Sequence, residues 1–288
     1  MIERIKSALK DVKRFRDGTY IDKDNFILEK VNTRFKFLGS IGHSRIQKIS
    51  FLNNSSAPII AKVGEEDEYN NLVYLWDEIY QRSTVNRIPK PLFYSKSEKL
   101  LFTEFIYGKN LKLSIVPSLY KVSFQSSLNE SLQLVDRAVD WLVDFESRAF
   151  NHSFLSPEEY FNSFNILISN LNYLKEDDKI NLSTKFKKAI KQSEKIPVKF
   201  SNKCFRMRDI LHEDKTITRV DWGNWLGRDS HPFFIELSTF LAELRELSIY
   251  PHISQRKIIK LENHFLRTYL KFLWIVHSSG YRKERLQL

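Results

Sequence analysis

Two hydrophobic periods alternate along the chain, and the change between them divides it. Residues 3–16 place Ile5, Leu9 and Val12 at i, i+4 and i+7 among lysines and arginines. That spacing predicts an amphipathic helix, ended by Asp17-Gly18. Period two follows. Phe35 to Leu38 and Arg45 to Phe51 alternate, and Pro58-Ile59-Ile60-Ala61-Lys62-Val63 reads as a third strand. Turns at Gly39 to His43 and Asn53 to Ser56 separate them, which predicts an antiparallel sheet. Helical spacing returns over Glu66 to Arg82, with Leu72, Leu75, Trp76 and Ile79 on one face. Leu92 to Tyr94 and Leu100 to Ile106 read as two further strands around a polar turn.

Beyond Gly108 the period is helical almost throughout. Ser127 to Phe150, Pro157 to Leu171, Lys179 to Ser193, Phe233 to Leu247 and Gln255 to Val276 read as helices, the second opened by a proline in its first turn. One hairpin interrupts them: Ile210-Leu211-His212, a turn at Glu213-Asp214-Lys215, then Ile217 to Val220. The expected class is therefore α+β in two lobes. A helical extension covers 1–34, a sheet lobe with one helix 35–107, and a helical lobe 108–288.

Composition narrows the possibilities. Of 288 residues, 42% are hydrophobic and 28% charged, which excludes a disordered chain. The single cysteine, Cys204, excludes an internal disulfide. No run approaches the roughly 18 apolar residues of a membrane helix. The N-terminus lacks the apolar core of a signal peptide, so a cytoplasmic location is expected. The seven histidines form no ligand-spaced pair. The formal charge is +11, concentrated at both ends and between Lys175 and Arg208. A positive surface attracts nucleic acid, an acidic membrane surface or a phosphorylated small molecule. No nucleic-acid recognition pattern supports the first.

The candidate chemistry starts from Lys62. A lysine in an apolar strand is costly unless its ammonium meets an anion or reaches water. Two helix carboxylates, Glu68 and Glu78, lie within reach along the next helix. Gly39-Ser40-Ile41-Gly42 stands between the first two strands, where main-chain amides can cover phosphates. Leu101 to Ile106 is followed by Tyr107-Gly108-Lys109-Asn110-Leu111. The hairpin leads into Thr216-Ile217-Thr218-Arg219-Val220-Asp221-Trp222-Gly223.

Taken in order, these segments resemble the protein-kinase-like superfamily, and within it the aminoglycoside phosphotransferase and choline kinase branch, over roughly residues 35–245. The resemblance implies ATP and Mg²⁺ as cofactors. Lys62 would contact the nucleotide phosphates and Glu68 would hold it, with Glu78 as a competitor. Gly39 and Gly42 would lie in the phosphate-covering loop, although the full glycine pattern is absent. Adenine would meet the backbone near Glu104 and Ile106. Asp221 would hold the metal, as the Asp-Trp of this branch replaces Asp-Phe-Gly. Glu236, before Leu237, would brace the catalytic loop.

The catalytic loop departs from the pattern. Counting back from Asp221 through the hairpin, Asp209 falls on the metal-binding Asn, Cys204 on the catalytic Asp and Asn202 on the His. An Asp still ligates Mg²⁺. A thiol is neutral at pH 7 unless its pKa is lowered, and it orients a hydroxyl poorly. A second register, with Met207-Arg208-Asp209 imitating His-Arg-Asp, is rejected because Asp214 to Asp221 is then too short for two strands and a turn. Two readings follow. One is an ATP-dependent phosphotransferase acting on a hydroxyl of a small molecule, with Lys62, Asp209, Asp221 and Cys204 at the reacting centre. The other is a pseudokinase that binds nucleotide or a protein partner. The basic segments of the helical lobe favour an anionic acceptor over a polycation.

Overall fold

The computed structural model describes residues 1–10, 12, 14–18, 26–30, 46–52, 57–81, 83, 85–148, 153–169, 175–191, 196–200, 205–220, 230–232 and 235–278. In chain order the first half forms α1 (Ile2–Lys10), β1 (Phe26–Lys30), β2 (Ile46–Phe51), β3 (Ile59–Val63), α2 (Glu66–Leu75), β4 (Asn86–Arg87), β5 (Pro91–Ser95), β6 (Leu100–Glu104) and β7 (Lys109–Asn110). The second half forms α3 (Leu111–Ile115), α4 (Gln125–Arg148), β8 (Ser153–Leu155), α5 (Pro157–Ser169), α6 (Glu176–Ile190), β9 (Ile196–Phe200), β10 (Ile210–Glu213), β11 (Thr216–Arg219), β12 (Ser230–Pro232), α7 (Ile235–Glu246) and α8 (Gln255–Ser278). None of the helices described is long and apolar enough to cross a membrane.

The N-terminal lobe is a five-stranded antiparallel sheet in the order β1-β2-β3-β6-β5. Alternation along β6 splits its residues between two cores. Leu100 and Phe102 face Ile49, Ile59 and Ala61 under Ile5 and Leu9 of α1. Leu101, between them, faces Leu72 and Leu75 of α2 and joins the larger core of the helical lobe. The strand before β2 is Phe26–Lys30, inside the segment expected to be helical extension; Phe35 to Leu38 lie outside the described residues. Helix α1 stops at Lys10, short of the expected 16, yet Val12 and Phe15 beyond it remain buried against the sheet.

The helical lobe is built on α4 and α8, which pack along each other around Trp141, Phe145, Leu261 and Phe265. A second sheet, β4-β11-β10-β7, ties the lobes together. It draws β4 from before the N-terminal lobe's last hairpin, β7 from just after the crossover, and the β10–β11 hairpin from deep in the helical lobe. Trp141 Nε1 donates to Arg87 O at 3.0 Å, which fixes β4 to α4. The hairpin turn is Asp214-Lys215, one residue shorter than expected, with Asp214 at φ 47°. Aspartate tolerates that left-handed conformation better than most residues. Asp214 is thus a turn residue.

Candidate active site

Strand β3 positions Lys62. Ile59 and Ala61 are buried toward α1, so Lys62 projects to the opposite face beside its register partner Leu101. On α2, Glu68, Leu72 and Leu75 share the buried face at i, i+4 and i+7. The face that buries the leucines therefore aims Glu68 at the sheet. Lys62 Nζ lies 2.5 Å from Glu68 Oε1, with 12% and 6% of the two side chains exposed. Glu78 lies on the π-helical turn Trp76–Tyr80 and is exposed, and Glu68 is the glutamate of the two that contacts Lys62.

The short connection between them depends on Gly64. Its N–H donates to Lys99 O at 3.2 Å and its carbonyl accepts from Tyr94 Oη at 3.4 Å. A Cβ at this position would stand 2.9 Å from Glu68 Oε2.

Glu104 ends β6. Its main-chain N–H donates to Lys90 O, and its carboxylate accepts from Lys90 N–H at 3.0 Å and faces Arg87 Nη2 at 3.5 Å. The side chain is thereby committed to the connection into β5. Phe105 N–H donates to Pro58 O at 3.0 Å, and among the described residues no hydrogen bond engages the main-chain N–H of Ile106. Gly108 follows at φ 145°.

Asp209 closes a 3₁₀ turn, Met207–Asp209, at the start of β10. Its side chain is 15% exposed, with Arg208 Nε 3.9 Å away. Its carbonyl accepts from Val220 N–H at 2.9 Å. The hairpin register thus brings the residue preceding Asp221 against Asp209. Gly39, Gly42, Cys204 and Asp221 lie outside the described residues. Among the described residues no cluster of three His, Cys, Asp or Glu side chains forms a metal site.

Sequence reasoning did not anticipate the scaffold beneath the loop. Phe205 N–H donates to Thr239 Oγ1 at 2.8 Å, and Met207 N–H to Glu243 Oε2 at 2.6 Å. Four residues of helix rise about 6 Å and two residues of extended chain about 6.6 Å. One face of α7 can therefore hold alternate residues of the loop. Glu236, one turn earlier on α7, is fully buried, and the segment 201–204 it was expected to brace lies outside the described residues. Glu243 also accepts from Lys112 Nζ at 2.8 Å, a buried pair joining α3 to α7. Phe205 stacks between Trp141 (5.4 Å) and Phe240 (5.8 Å), and the guanidinium of buried Arg219 lies 5.9 Å from both Trp141 and Phe205. The stack reaches the residue after Cys204 in sequence, a contact that no local pattern in the chain announces.

No protein-family model matches the chain, and no curated protein sequence matches it. Solved structures do. Glucosamine kinase in complex with glucosamine, ADP and inorganic phosphate aligns at a TM-score of 0.54 and 11% identity, over 96% of this chain and 72% of that one. Choline kinase from Streptococcus pneumoniae aligns at 0.51 and 10% identity, over 92% and 80%. The fold is the two-lobed, kinase-like one of these structures. Macrolide 2'-phosphotransferase from Brachybacterium faecium shares it, at 0.51 and 9% identity over 89% and 80%. At these identities the likeness is one of fold. Within the kinase-like fold, β3, α2, the β6–β7 crossover and the β10–β11 hairpin are the elements that carry the residues above.

Proposed function

We propose that this chain binds ATP with Mg²⁺ between its lobes and transfers a phosphoryl group to a hydroxyl of a small molecule. The observation that carries the reading is the buried Lys62–Glu68 pair. A lysine in an apolar strand, paired with a carboxylate from the next helix, is the arrangement by which a kinase-like fold brings an ammonium to nucleotide phosphates. In this reading Lys62 contacts the nucleotide phosphates, Glu68 fixes its direction, and the backbone near Glu104 and Ile106 meets adenine. Amides around Gly39 and Gly42 cover the phosphates.

The donor set suits a hard divalent cation. In this reading Asp209 and Asp221, the latter next in sequence to Val220, would supply carboxylate oxygens, and Mg²⁺ takes one or two carboxylates with phosphate oxygens. When bound, the metal supplies neutralisation of charge on the transferring group. Phosphoryl transfer passes through a loose transition state and depends chiefly on positioning and charge, so the loss of a carboxylate at position 204 slows the reaction without removing its other components. Positive charge in the helical lobe favours an acceptor bearing phosphate or carboxylate.

Cys204 favours a second reading, nucleotide binding without useful transfer. A neutral thiol neither accepts nor orients the acceptor proton as a carboxylate does. Calorimetric titration of ATP with and without Mg²⁺, beside Lys62→Met and Asp221→Asn, tests the shared part. Binding that needs Mg²⁺ and is lost in Asp221→Asn is expected. Absence of binding to the folded wild type would remove both nucleotide readings. ATP turnover in Cys204→Asp separates them: a measurable wild-type rate that rises in the variant supports the enzyme, and a wild type without turnover supports the binder.

A further inference from the structure

Large apolar side chains stand in water where α4 and α8 begin. Val122 is 92% exposed, Phe124 82% and Ile249 76%. The two segments that carry them form one framework. Tyr120 bridges Ile253, Lys121 N–H donates to His252 O at 3.1 Å, and Ser254 N–H donates to Leu119 O at 2.8 Å. Lys257 Nζ donates to Tyr120 O at 2.7 Å and to Ser123 Oγ at 2.6 Å. Rings of Tyr120 and Tyr250 both pack on His252. The loop backbone is therefore fixed, and it holds Val122 and Phe124 outward.

The helix beside this tip carries charge of one sign. Arg256, Ile259, Lys260, Arg267, Leu270 and Lys271 form its exposed face, at the three- and four-residue spacings of one helical stripe. The one acidic residue from Leu247 to Lys271 is Glu262, buried against Arg245. Glu130 and Glu246 on the flanking helices are exposed, and the Asp136 side chain of α4 is 44% exposed but engaged by His264 and Thr268; the cations of α8 with Lys121 outnumber the three. From Arg256 to Lys271 the stripe runs about 22 Å at the helical rise.

We propose that this face docks on an anionic phospholipid bilayer, with Val122 and Phe124 entering the acyl boundary and α8 lying along the headgroups. An apolar tip next to basic side chains on long stems matches that interface, because apolar burial and attraction to anionic lipid act together there. A long strip of single sign matches a plane of distributed negative charge. The inference is independent of the phosphotransfer reading.

The test is co-sedimentation of the full chain with phosphatidylcholine vesicles, with and without phosphatidylserine, at low and high salt. Binding to the serine-containing vesicles at least about tenfold above the neutral ones, weakened by salt, is expected. Val122→Ser with Phe124→Ser lowers it about tenfold, and Arg256→Glu with Lys260→Glu removes the preference for phosphatidylserine, both at unchanged melting temperature. A folded wild type that stays in the supernatant overturns the proposal. So does equal binding to both vesicles, or binding that neither double variant changes. Concentration-dependent self-association that Val122→Ser with Phe124→Ser abolishes, without vesicle binding, would give the face to a second copy and overturn it as well.

Discussion

Lys62 Nζ and Glu68 Oε1 meet at 2.5 Å, and the absence of a side chain at Gly64 is what lets the carboxylate stand there. A methyl group at Gly64 would meet the end of the Glu68 side chain, which can rotate away only by loosening its buried contact with Lys62. Gly64→Ala is expected to cost about 1–3 kcal/mol of stability and to weaken ATP binding about tenfold by displacing the partner of Lys62. Urea unfolding beside nucleotide titration checks it. Unchanged affinity in Gly64→Ala would separate the pair from nucleotide binding.

The Lys112–Glu243 pair is more buried, at 7% and 6% side-chain exposure, and Glu243 also holds Met207 N–H. Removing one partner of a buried pair leaves an uncompensated charge. Glu243→Gln is expected to lose about 3 kcal/mol or more in urea unfolding. Glu243→Gln combined with Lys112→Met should recover part of that loss, because the buried ammonium that faced Glu243 is then removed with it. A double variant no more stable than Glu243→Gln would show that the Met207 contact, not the ion pair, carries the effect.

The contrast between these pairs explains what the sequence reveals. Lys62 is conspicuous because it interrupts an apolar strand, and its partner lies on the next helix. Lys112 and Glu243 are 131 residues apart, on helices whose other members are ordinary, so no local pattern announces them. The same holds for the fold. Helices α4, α5 and α8 lie within about two residues of their periodic stretches. The hairpin was legible from alternation around Asp214. The two-residue strands β4 and β7 are too short to show a period, and β8, β9 and β12 form a sheet through partners far apart in the chain. Helix α3 has five residues, less than two turns. The site is legible where chemistry contradicts its surroundings, as at Lys62, and silent where the backbone of residues 205–207 is held by α7.

Gly108 turns the chain from β6 into β7 at φ 145°, and a Cβ there would lie 3.0 Å from the main-chain oxygen of His212. Here the obstacle is backbone in a paired strand, and the conformation itself disfavours an L side chain. Gly108→Ala is expected to destabilise by about 1–3 kcal/mol. It should also perturb the β7–β10 pairing, where His212 opposes Lys109. Thermal and urea unfolding check the first part, and amide exchange in β10 the second. A melting temperature equal to wild type would show that the crossover relaxes without strain.

His212 makes that same junction sensitive to pH. Burial first, then the positive charges of Arg137 and Lys109, hold its pKa below the ordinary 6.5. Its Nε2 lies 2.7 Å from Ser114 Oγ, which is also 3.1 Å from Asn110 O, so the ring is tied to the start of α3. A depressed folded pKa means that the unfolded chain takes the proton first as pH falls. The stabilising contribution of the neutral ring is therefore complete above about 6.5 and is lost progressively as pH drops toward the folded value. Unfolding free energy of the wild type should fall between about pH 7 and pH 5 more steeply than that of His212→Gln, which has no titrating ring. Arg137→Gln should raise the pKa of His212 and flatten the fall. Urea unfolding across that range, with an NMR titration of the imidazole, measures both, and a His212 that titrates above 6.5 in the folded protein would reverse the expected slope.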